Sequence, residues 1–500
     1  MKKERSAKPI SEPRFVRQLV LLLPLTLFSG CVVGPKYSRP STQVPPTYKE
    51  VPEGWKAAAP SDQIPRGKWW EIFRDSQLNE LEEKVNVSNQ TLKAAYEQFL
   101  QARALVRFNR ADYYPTVTAG ASGTYTRPSQ NRPFSTSTTI TKKNTTDLVL
   151  PVTASWEPDV FGRVRSTVEA ARSNAQASAA DVESVRLAVH AELASDYFQM
   201  RSLDAEEQLL QSTVTAYEKA LELTQNRHKG GVASAVDVAQ AQTQLETTRA
   251  QATDVQVQRA QFEHAIAVLI GEPPSTLSLT MRPWTSPPPQ IPAGLPSDLL
   301  ERRPDIAAAE RRMAAANAQI GVARAAYFPS LLLTGSGGFE SGSVTTWLSG
   351  PSGFLVAGAS AAVTAFDVGR RRAASDQAKA VYDQSVANYR QTVLVSFQEV
   401  EDNLAALRIL DEESRRQQEA VAAAERSLSL SLNRYRGGVT TYLEVTTAQG
   451  LALNNERTAV QILSRRMTAS VLLIRALGGG WDASQLPSAD LQASTVVKGQ

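Results

Sequence analysis

Residues 227–238 have the sequence RHKGGVASAVDV, and residues 434–445 have the sequence RYRGGVTTYLEV. Each stretch carries a pair of glycines, and glycine accepts the left-handed backbone conformation that commonly ends a helix. Basic residues precede both pairs and place positive charge at the carboxyl end of a helix, where the helix dipole favours it. These are Arg227, His228 and Lys229 before Gly230 and Gly231, and Arg434 and Arg436 before Gly437 and Gly438. Both stretches therefore predict the end of a helix.

A second helix follows each glycine pair at once. Ser234-x-x-Asp237 and Thr441-x-x-Glu444 both have the form of a capping box, in which the first and fourth residues bond reciprocally to each other's backbone amides. Proline is absent between Pro158 and Pro273 and again between Pro351 and Pro487, so long helices can form on both sides. A helix from about residue 165 to residue 228 would be roughly 95 Å long at ~1.5 Å per residue. We therefore predict two long antiparallel helical hairpins with coiled-coil packing.

Several sequence landmarks occur twice along the chain. Tyr114-Pro115 recurs 214 residues later as Phe328-Pro329, and Phe161-Gly162-Arg163 recurs 207 residues later as Val368-Gly369-Arg370. The glycine tips keep the spacing of 207. Agreement at several landmarks over this length predicts an internal twofold repeat.

Between the helices the apolar residues alternate with period two, which is typical of strands. In the first repeat Val117, Ala119 and Tyr125 alternate with threonine and serine, and the second repeat follows the pattern less cleanly. We predict β-hairpins over residues 115–160 and 330–367. Alternation alone leaves two interpretations open, an ordinary two-layer sheet and a membrane barrel. Four strands cannot close a membrane barrel, because the smallest have about eight, whereas three copies would supply twelve.

The amino end has the features of an export signal. Six basic side chains precede an apolar run over residues 19–28 that is too short to be a permanent membrane helix. Small residues then stand before Cys31, the only cysteine, and this arrangement resembles a bacterial lipoprotein cleavage site. Lipidation of Cys31 is the favoured interpretation, and a buried structural thiol is the alternative. Val32 in place of an aspartate implies, by resemblance to sorted lipoproteins, the outer membrane.

The distribution of charge along the chain argues against nucleic-acid binding. The whole chain has 54 basic and 50 acidic residues, a net charge of +4 that would suit nucleic-acid or membrane-surface binding. Residues 1–30 carry all of that excess, so the mature chain would be neutral and nucleic acid is not expected as a partner. Three histidines and one cysteine predict no metal centre and no disulfide framework.

The predicted organisation follows from these signals. It comprises a signal peptide (1–30), a proline-rich lipid-anchored strap (31–68), a first repeat (69–280) with a helical hairpin at 165–270, a linker (281–298), a second repeat (299–480) with a helical hairpin at 370–477, and a tail (481–500).

Five segments together resemble one family. They are CVVGPKYSRP from Cys31, WWEIFRDSQLNEL from Trp69, GLPSDLLERRPDIAAAERRMAAANAQIGVARAAYFPS from Gly294, RYRGGVTTYLEV from Arg434 and LGGGW from Leu477. In this order they are similar to the lipidated branch of the TolC-like outer membrane factors, across essentially the whole mature chain. The resemblance implies a mixed α+β membrane protein: a trimer with a 12-stranded outer-membrane β-barrel, four strands per chain, that continues into a long α-helical coiled-coil tunnel in the periplasm.

The resemblance also implies the function. Such proteins are passive exit ducts of tripartite efflux systems, which expel drugs or other toxic compounds together with a periplasmic adaptor protein and an inner-membrane transporter. They are lipid-anchored in the bacterial outer membrane and need no cofactor beyond the covalent lipid on the cysteine, here N-acyl and S-diacylglycerol groups on Cys31.

The resemblance also implies which residues form functional sites in this sequence. In similar proteins carboxylates after the second glycine turn narrow the tunnel, often in a Leu-Asp-Ala-Gln stretch, but this chain has Thr447 at the aspartate position. Glu444 and its repeat counterpart Asp237 are the remaining gate candidates, and their alternative role is to cap their own helices. The glycine tips are the expected adaptor-docking positions, namely Arg227, Gly230, Gly231, Arg434, Gly437 and Gly438.

Two other classes of function fit the sequence less well. Apolar residues recur every seven positions at Val386, Val393, Val400 and Leu407, which is typical of a coiled coil. A structural periplasmic coiled-coil or adaptor lipoprotein would share this repeat but lack paired membrane-length strand hairpins. An enzyme is disfavoured, because the sequence has no nucleophile elbow, phosphate-binding loop or cluster of metal ligands.

Overall fold

The structure is a computed structural model that describes residues 33–50, 67–127, 144–291 and 298–486. The predicted signal peptide and Cys31 lie outside these residues, as does most of the predicted tail. The lipidation of Cys31 therefore stays a prediction.

Eight α-helices are assigned within the described residues. They are α1 (Ser76–Ser88), α2 (Gln90–Ala111), α3 (Arg163–Lys229), α4 (Ala235–Leu269), α5 (Leu299–Arg302), α6 (Pro304–Ala325), α7 (Arg370–Arg436) and α8 (Tyr442–Ala476). The two longest, α3 and α7, each have 67 residues, and the helices that follow them, α4 and α8, each have 35. The helical hairpins of the two halves therefore match in length. None of the helices in the described part of the chain is both long enough and apolar enough to cross a membrane.

The strands form one antiparallel sheet. They are β1 (Thr116–Ala119), β2 (Ser122–Thr126), β3 (Thr145–Trp156), β4 (Ser330–Ser341) and β5 (Gly353–Ala362). β1 and β2 both pair with β3, β3 pairs with β4, and β4 pairs with β5. The sheet thus joins both repeats through the β3–β4 contact.

β1 and β2 occupy a single strand position that is interrupted once. Ala119 pairs with Val152 and Ser122 pairs with Val149, so the register does not change across the gap. Gly120 therefore lies opposite Pro151, which has no amide hydrogen to donate to the ladder. Only the bond from Gly120 N to Pro151 O, at 3.0 Å, can form there. The sheet accordingly has four strand positions.

The chain divides into two compact units that do not coincide with the two repeats. One contains the sheet and comprises residues up to 39, 101–175 and 311–386; the other comprises 40–100, 176–310 and 387 onwards. In the second unit, helices from both repeats share a buried cluster that joins Leu203 and Leu210 of α3 to Ala252 of α4 and Leu453 of α8. Each unit is therefore built from both halves of the sequence.

Glycines with positive φ end the four longest helices. The backbone φ is +76° at Gly231, +72° at Gly271, +74° at Gly438 and +89° at Gly478. Gly271 packs against the carbonyl of Ser88 at the end of α1, and Gly478 packs against the carbonyl of Arg302 at the end of α5. A β-carbon would overlap either carbonyl, so these two sites require glycine for both conformation and space.

Replacement of one of these glycines should destabilise the fold. We expect Gly478→Ala to cost at least about 2 kcal/mol, because alanine is strained at positive φ and its methyl group would overlap the Arg302 carbonyl. Thermal unfolding followed by circular dichroism should show a lower midpoint.

Gly450→Ala is the matched control, because Gly450 lies inside α8 with open space around its α-carbon. It should leave the midpoint unchanged or raise it, since alanine favours a helix by up to about 1 kcal/mol. Equal effects of the two substitutions would contradict this assignment.

Candidate functional site

The first candidate feature is a mostly apolar face on the sheet, on which Thr146 and Ser341 are the hydroxyl-bearing exceptions. Directly opposite residues of antiparallel strands point to the same side of a sheet. Val117 pairs with Ala154, Leu150 pairs with Phe339, and Gly337 pairs with Leu355, so the register aligns the same face across all strand positions. That face carries Val117, Ala119 and Tyr125; Leu148, Leu150, Val152, Ala154 and Trp156; Leu331, Leu333 and Phe339; and Leu355, Ala357, Ala359 and Ala361.

The opposite face is mostly hydroxyl-bearing. It carries Thr116, Thr118, Ser122, Thr124 and Thr126; Thr145, Asp147, Thr153 and Ser155; Thr334, Ser336 and Glu340; and Ser360. Its large apolar exceptions are Val149, Leu332, Phe354 and Val356. One apolar and one polar face are what a strand wall needs to separate hydrocarbon from water.

Both outer edges of the sheet are open. β1 and β2 pair only with β3, and β5 pairs only with β4, so one side of each outer strand has no ladder partner in the described residues. Large apolar side chains next to these edges are also exposed, including Tyr125, Leu355 and Val363. The sheet therefore does not close on itself within the part of the chain that the structure describes.

The second candidate feature is the pair of hairpin tips predicted from the glycines. Val232 N donates to Arg227 O at 2.9 Å, and Gly231 N donates to His228 O at 2.9 Å. In the second tip Val439 N donates to Arg434 O and Gly438 N donates to Tyr435 O, each at 3.0 Å. Both ends are thus Schellman motifs, which satisfy the last carbonyls of the helix. The predicted helix ends are confirmed.

Arg227 joins the two tips. Its Nη1 donates to the main-chain oxygen of Arg436 at 2.9 Å, and its Cζ lies 4.8 Å from the ring centroid of Tyr435. Gly438 is close by, since a β-carbon there would lie 3.8 Å from Nη2 of Arg227. One guanidinium therefore satisfies a carbonyl at the end of α7 and stacks on an aromatic ring of the same turn.

A buried tyrosine pair lies beneath this contact. The rings of Tyr435 and Tyr442 meet edge to face with centroids 5.2 Å apart, and both pack with Ala241 and Val445. Burial raises the pKa of Tyr442 to about 12, so its phenol stays protonated at physiological pH. We did not predict this pair from the sequence; the signal was that Tyr435 and Tyr442 stand where the first repeat has His228 and Ala235.

The two gate candidates have different partners. Asp237 completes its capping box: its Oδ2 accepts from Ser234 N at 3.0 Å, and its amide donates to Ser234 Oγ at 3.1 Å. The side chain of Thr441 caps no amide of α8, so the capping box expected there is wrong. Glu444 instead lies 3.7 Å from Arg434 Nη1, and this pairing with the neighbouring helix end draws the carboxylate away from Thr441.

Thr447 lies on the same exposed face of α8 as Glu444, three residues further on. Its Oγ1 donates to Leu443 O at 2.9 Å, so the hydroxyl is bound to its own helix. Tyr442 and Val445 are buried on the other side. Glu444 and Thr447 thus both point away from the hairpin's own core.

Residues 81–272 and 295–479 match the family model described as outer membrane efflux protein. The chain belongs to this family. It is 33% identical over 478 residues to the probable efflux pump outer membrane protein TtgC of Pseudomonas putida, covering 95% of this chain and 98% of the relative. It is 32% identical over 467 residues to the outer membrane protein OprJ of Pseudomonas aeruginosa, covering 92% and 95%.

Solved structures give the same result. The outer-membrane channel OprN superimposes with a TM-score of 0.82 at 31% identity, covering 90% of this chain and all of that one. The Neisseria gonorrhoeae outer membrane channel MtrE, in its open state, superimposes with a TM-score of 0.78 at 27% identity, covering 91% and 99%. The predicted family is confirmed, and it places the protein in the bacterial outer membrane.

Within the described residues, no group of three or more His, Cys, Asp or Glu could hold a metal ion.

Loss of the Arg227 side chain should loosen the tips. In Arg227→Ala the Arg436 carbonyl loses its donor and the Tyr435 ring loses its stacking partner, so backbone amides of residues 437–442 should exchange faster with deuterium. Hydrogen exchange followed by mass spectrometry measures this.

Lys229→Ala is the charge-matched control, since Lys229 is exposed on the same turn. It should leave exchange at residues 437–442 unchanged. If the two variants exchange equally, the Arg227 contact does not hold the tips together.

Proposed function

We propose that this protein is the outer-membrane exit duct of a tripartite efflux system, which passively conducts small toxic compounds such as drugs to the cell exterior. The observation that carries the proposal is the sheet with one apolar face, one hydroxyl face and two open edges. Such a sheet suits a membrane only as part of a closed barrel with its apolar face toward lipid. Relatives named as efflux pump outer membrane proteins support the same function.

The proposal includes a homotrimer. Four strand positions are too few for a membrane barrel, whereas three copies supply twelve, an even number that can close. The helices of three copies would form the coiled-coil tunnel that continues the barrel into the periplasm. Closure between copies also supplies the ladder partners that the open edges lack.

The proposed passive role of the duct implies two protein partners. A duct without an energy source needs an inner-membrane transporter to drive export and a periplasmic adaptor to join the two. We propose that the adaptor docks at the hairpin tips, where Gly230, Gly231, Gly437 and Gly438 are exposed. Val232 and Val439 next to them are 68% and 70% exposed, so each tip presents an apolar side chain to a partner.

The lipid anchor remains part of the proposal. Cys31 would carry the N-acyl and S-diacylglycerol groups, and the strap that follows it would hold the chain end against the helical unit. The backbone amides of Lys49 and Glu50 donate to the two carboxylate oxygens of Glu401 at 2.7 and 3.0 Å, which supports this role for the strap.

We assign the periplasmic gate to Glu444. Asp237 is engaged in its capping box and Thr447 has no charge, whereas the carboxylate of Glu444 is half exposed and only loosely paired. Three copies of Glu444 around a common axis would attract cations and narrow the opening. Asp237 and Thr447 would then border the gate without setting its charge.

Reconstitution tests the duct. The full-length protein should fractionate with the outer membrane as a heat-modifiable oligomer and, after purification, produce ion conductance in planar lipid bilayers. Recovery in the soluble periplasm without conductance would contradict a duct and favour a periplasmic coiled-coil or adaptor protein.

The gate assignment predicts a change in that conductance. Glu444→Ala should raise single-channel conductance and weaken the preference for cations, because a ring of side chains and their charge are removed. Glu419→Ala removes an exposed carboxylate of α7 that is paired with Arg416, and it should leave both properties unchanged. Unchanged conductance in Glu444→Ala would refute the gate but not the duct.

A further inference from the structure

Arginines are concentrated at one end of the sheet, where the strands meet the helices. Thr116 pairs with Ser155 and Ser330 pairs with Ala362, and β3 pairs with β4 between them, so the four junctions lie side by side. The junctions are residues 107–115, 157–165, 324–329 and 363–372, which contain eight arginines, no lysine and four carboxylates. A chain that is neutral after residue 30 thus gathers a net charge of +4 at this end of its sheet.

Three of these arginine positions occur in both repeats. Arg110 recurs 214 residues later as Arg324, and Arg163 and Arg165 recur 207 residues later as Arg370 and Arg372. These are the spacings of the landmarks on either side of the strands. Both repeats therefore place arginine at corresponding positions beside the strand ends.

The first repeat pairs its arginines with carboxylates of the same junction. Arg163 Nη2 lies 2.9 Å from Glu157 Oε2, and Arg165 Nε lies 3.1 Å from Asp159 Oδ2. A threonine and a phenylalanine stand at the corresponding positions of the second repeat. The second repeat therefore keeps the arginines without these partners.

Arg324, Arg370 and Arg372 are exposed and have no ion-pair partner among the described residues. Asp367, the carboxylate of their junction, is bound to Arg371, whose Nε donates to its Oδ2 at 2.7 Å. Arg370 and Arg372 lie in the first turn of α7, where the helix dipole disfavours positive charge, so they do not stabilise the helix. An anion bound there would be favoured by the helix and by the arginines together.

The three arginines belong to neighbouring segments of one compact unit. Tyr327 N donates to Arg324 O at 3.1 Å, and the centroid of the Tyr327 ring lies 5.5 Å from Arg371 Cζ. The end of α6 and the start of α7 thus meet at Tyr327. This contact brings the segment of Arg324 next to the segment of Arg370 and Arg372.

The junctions border the apolar face of the sheet. Trp156, the last residue of β3, lies on that face and donates from Nε1 to the main-chain oxygen of Tyr113 at 3.0 Å. Tyr114, Tyr327 and Phe366 in the junctions are 72%, 44% and 82% exposed. Aromatic rings between an apolar wall and basic residues are typical of the boundary between a membrane and water.

We propose that Arg324, Arg370 and Arg372 bind the phosphate groups of anionic phospholipids at the periplasmic surface of the outer membrane. A guanidinium binds phosphate through two parallel N–H bonds. A phospholipid fits these junctions better than a soluble anion does, because its acyl chains can cover the exposed aromatic rings while its phosphate meets the arginines. The inference rests on the proposed function, since the junctions reach a membrane surface only if the sheet spans the outer membrane.

Native mass spectrometry of the full-length protein tests this lipid site. Purified protein is mixed with equal amounts of phosphatidylglycerol and phosphatidylcholine that carry the same acyl chains, and the bound lipids are counted. The wild type should prefer phosphatidylglycerol. The triple variant Arg324→Gln, Arg370→Gln, Arg372→Gln should lower this preference at least about fivefold, which is the contribution of a single arginine at an anionic lipid surface.

Arg415→Gln, Arg416→Gln, Arg426→Gln is the matched control, because it removes the same charge from exposed arginines elsewhere on α7. It should leave the preference unchanged, and an equal loss in both triple variants would overturn the assignment to the junctions. Millimolar inorganic phosphate should leave phosphatidylglycerol bound. Complete displacement would assign the arginines to a soluble anion instead and overturn the lipid site.

Conductance separates this inference from the proposed function. An unchanged lipid preference in the junction variant, in protein that conducts in planar bilayers, would overturn the lipid site and leave the duct intact. Wild-type protein that neither fractionates with the outer membrane nor conducts would refute the duct and the lipid site together.

Discussion

Backbone hydrogen bonding at the sheet edges is the constraint on which the rest of this molecule depends. A strand edge exposes unpaired amides and carbonyls, and in hydrocarbon each unpaired group costs several kcal/mol because no water can replace the partner. Within the described residues, the sheet ends at β1 and β2 on one side and at β5 on the other, and neither edge has a ladder partner. An outer membrane protein cannot leave such edges in lipid, and the proposed assembly of three copies would pair them.

Because the sequence contains an internal repeat, both halves of the chain supply the same kinds of secondary structure. Each repeat contributes a β-hairpin in the same register and a helical hairpin of 67 and 35 residues. The helical hairpins reach their tips through identical Schellman motifs, and Arg227 then joins the two tips through Tyr435 and the end of α7.

The helical part of the fold was predictable because its signals are local. Glycine pairs, basic residues at helix ends and long stretches without proline gave a first hairpin over residues 165–270, and the structure has helices at Arg163–Lys229 and Ala235–Leu269. The sheet was less predictable. Glycines of β4 and alanines of β5 obscure the alternation in the second repeat, and only the register with β3 reveals its apolar face. The interruption at Gly120 likewise depends on Pro151, thirty-one residues away in sequence but adjacent across the ladder.

The tips show why the site could be predicted only in part. Ser234-x-x-Asp237 and Thr441-x-x-Glu444 are the same pattern, yet only the first forms a capping box. Glu444 has Arg434 within 3.7 Å, and that competition arises from the packing of α7 against α8, which no short motif encodes. The tyrosine pair beneath Arg227 was missed for the same reason, because Tyr435 and Tyr442 belong to different helices that meet only in the folded hairpin.

The central claim is that the apolar face of the sheet contacts lipid, and spin labels along β5 in membrane-reconstituted protein test it most directly. Labels at residues 355, 357 and 359 should be accessible to oxygen dissolved in the bilayer. Labels at residues 356, 358 and 360 should be accessible to a water-soluble relaxation agent. An accessibility pattern without this alternation, or with the two faces exchanged, would contradict the account.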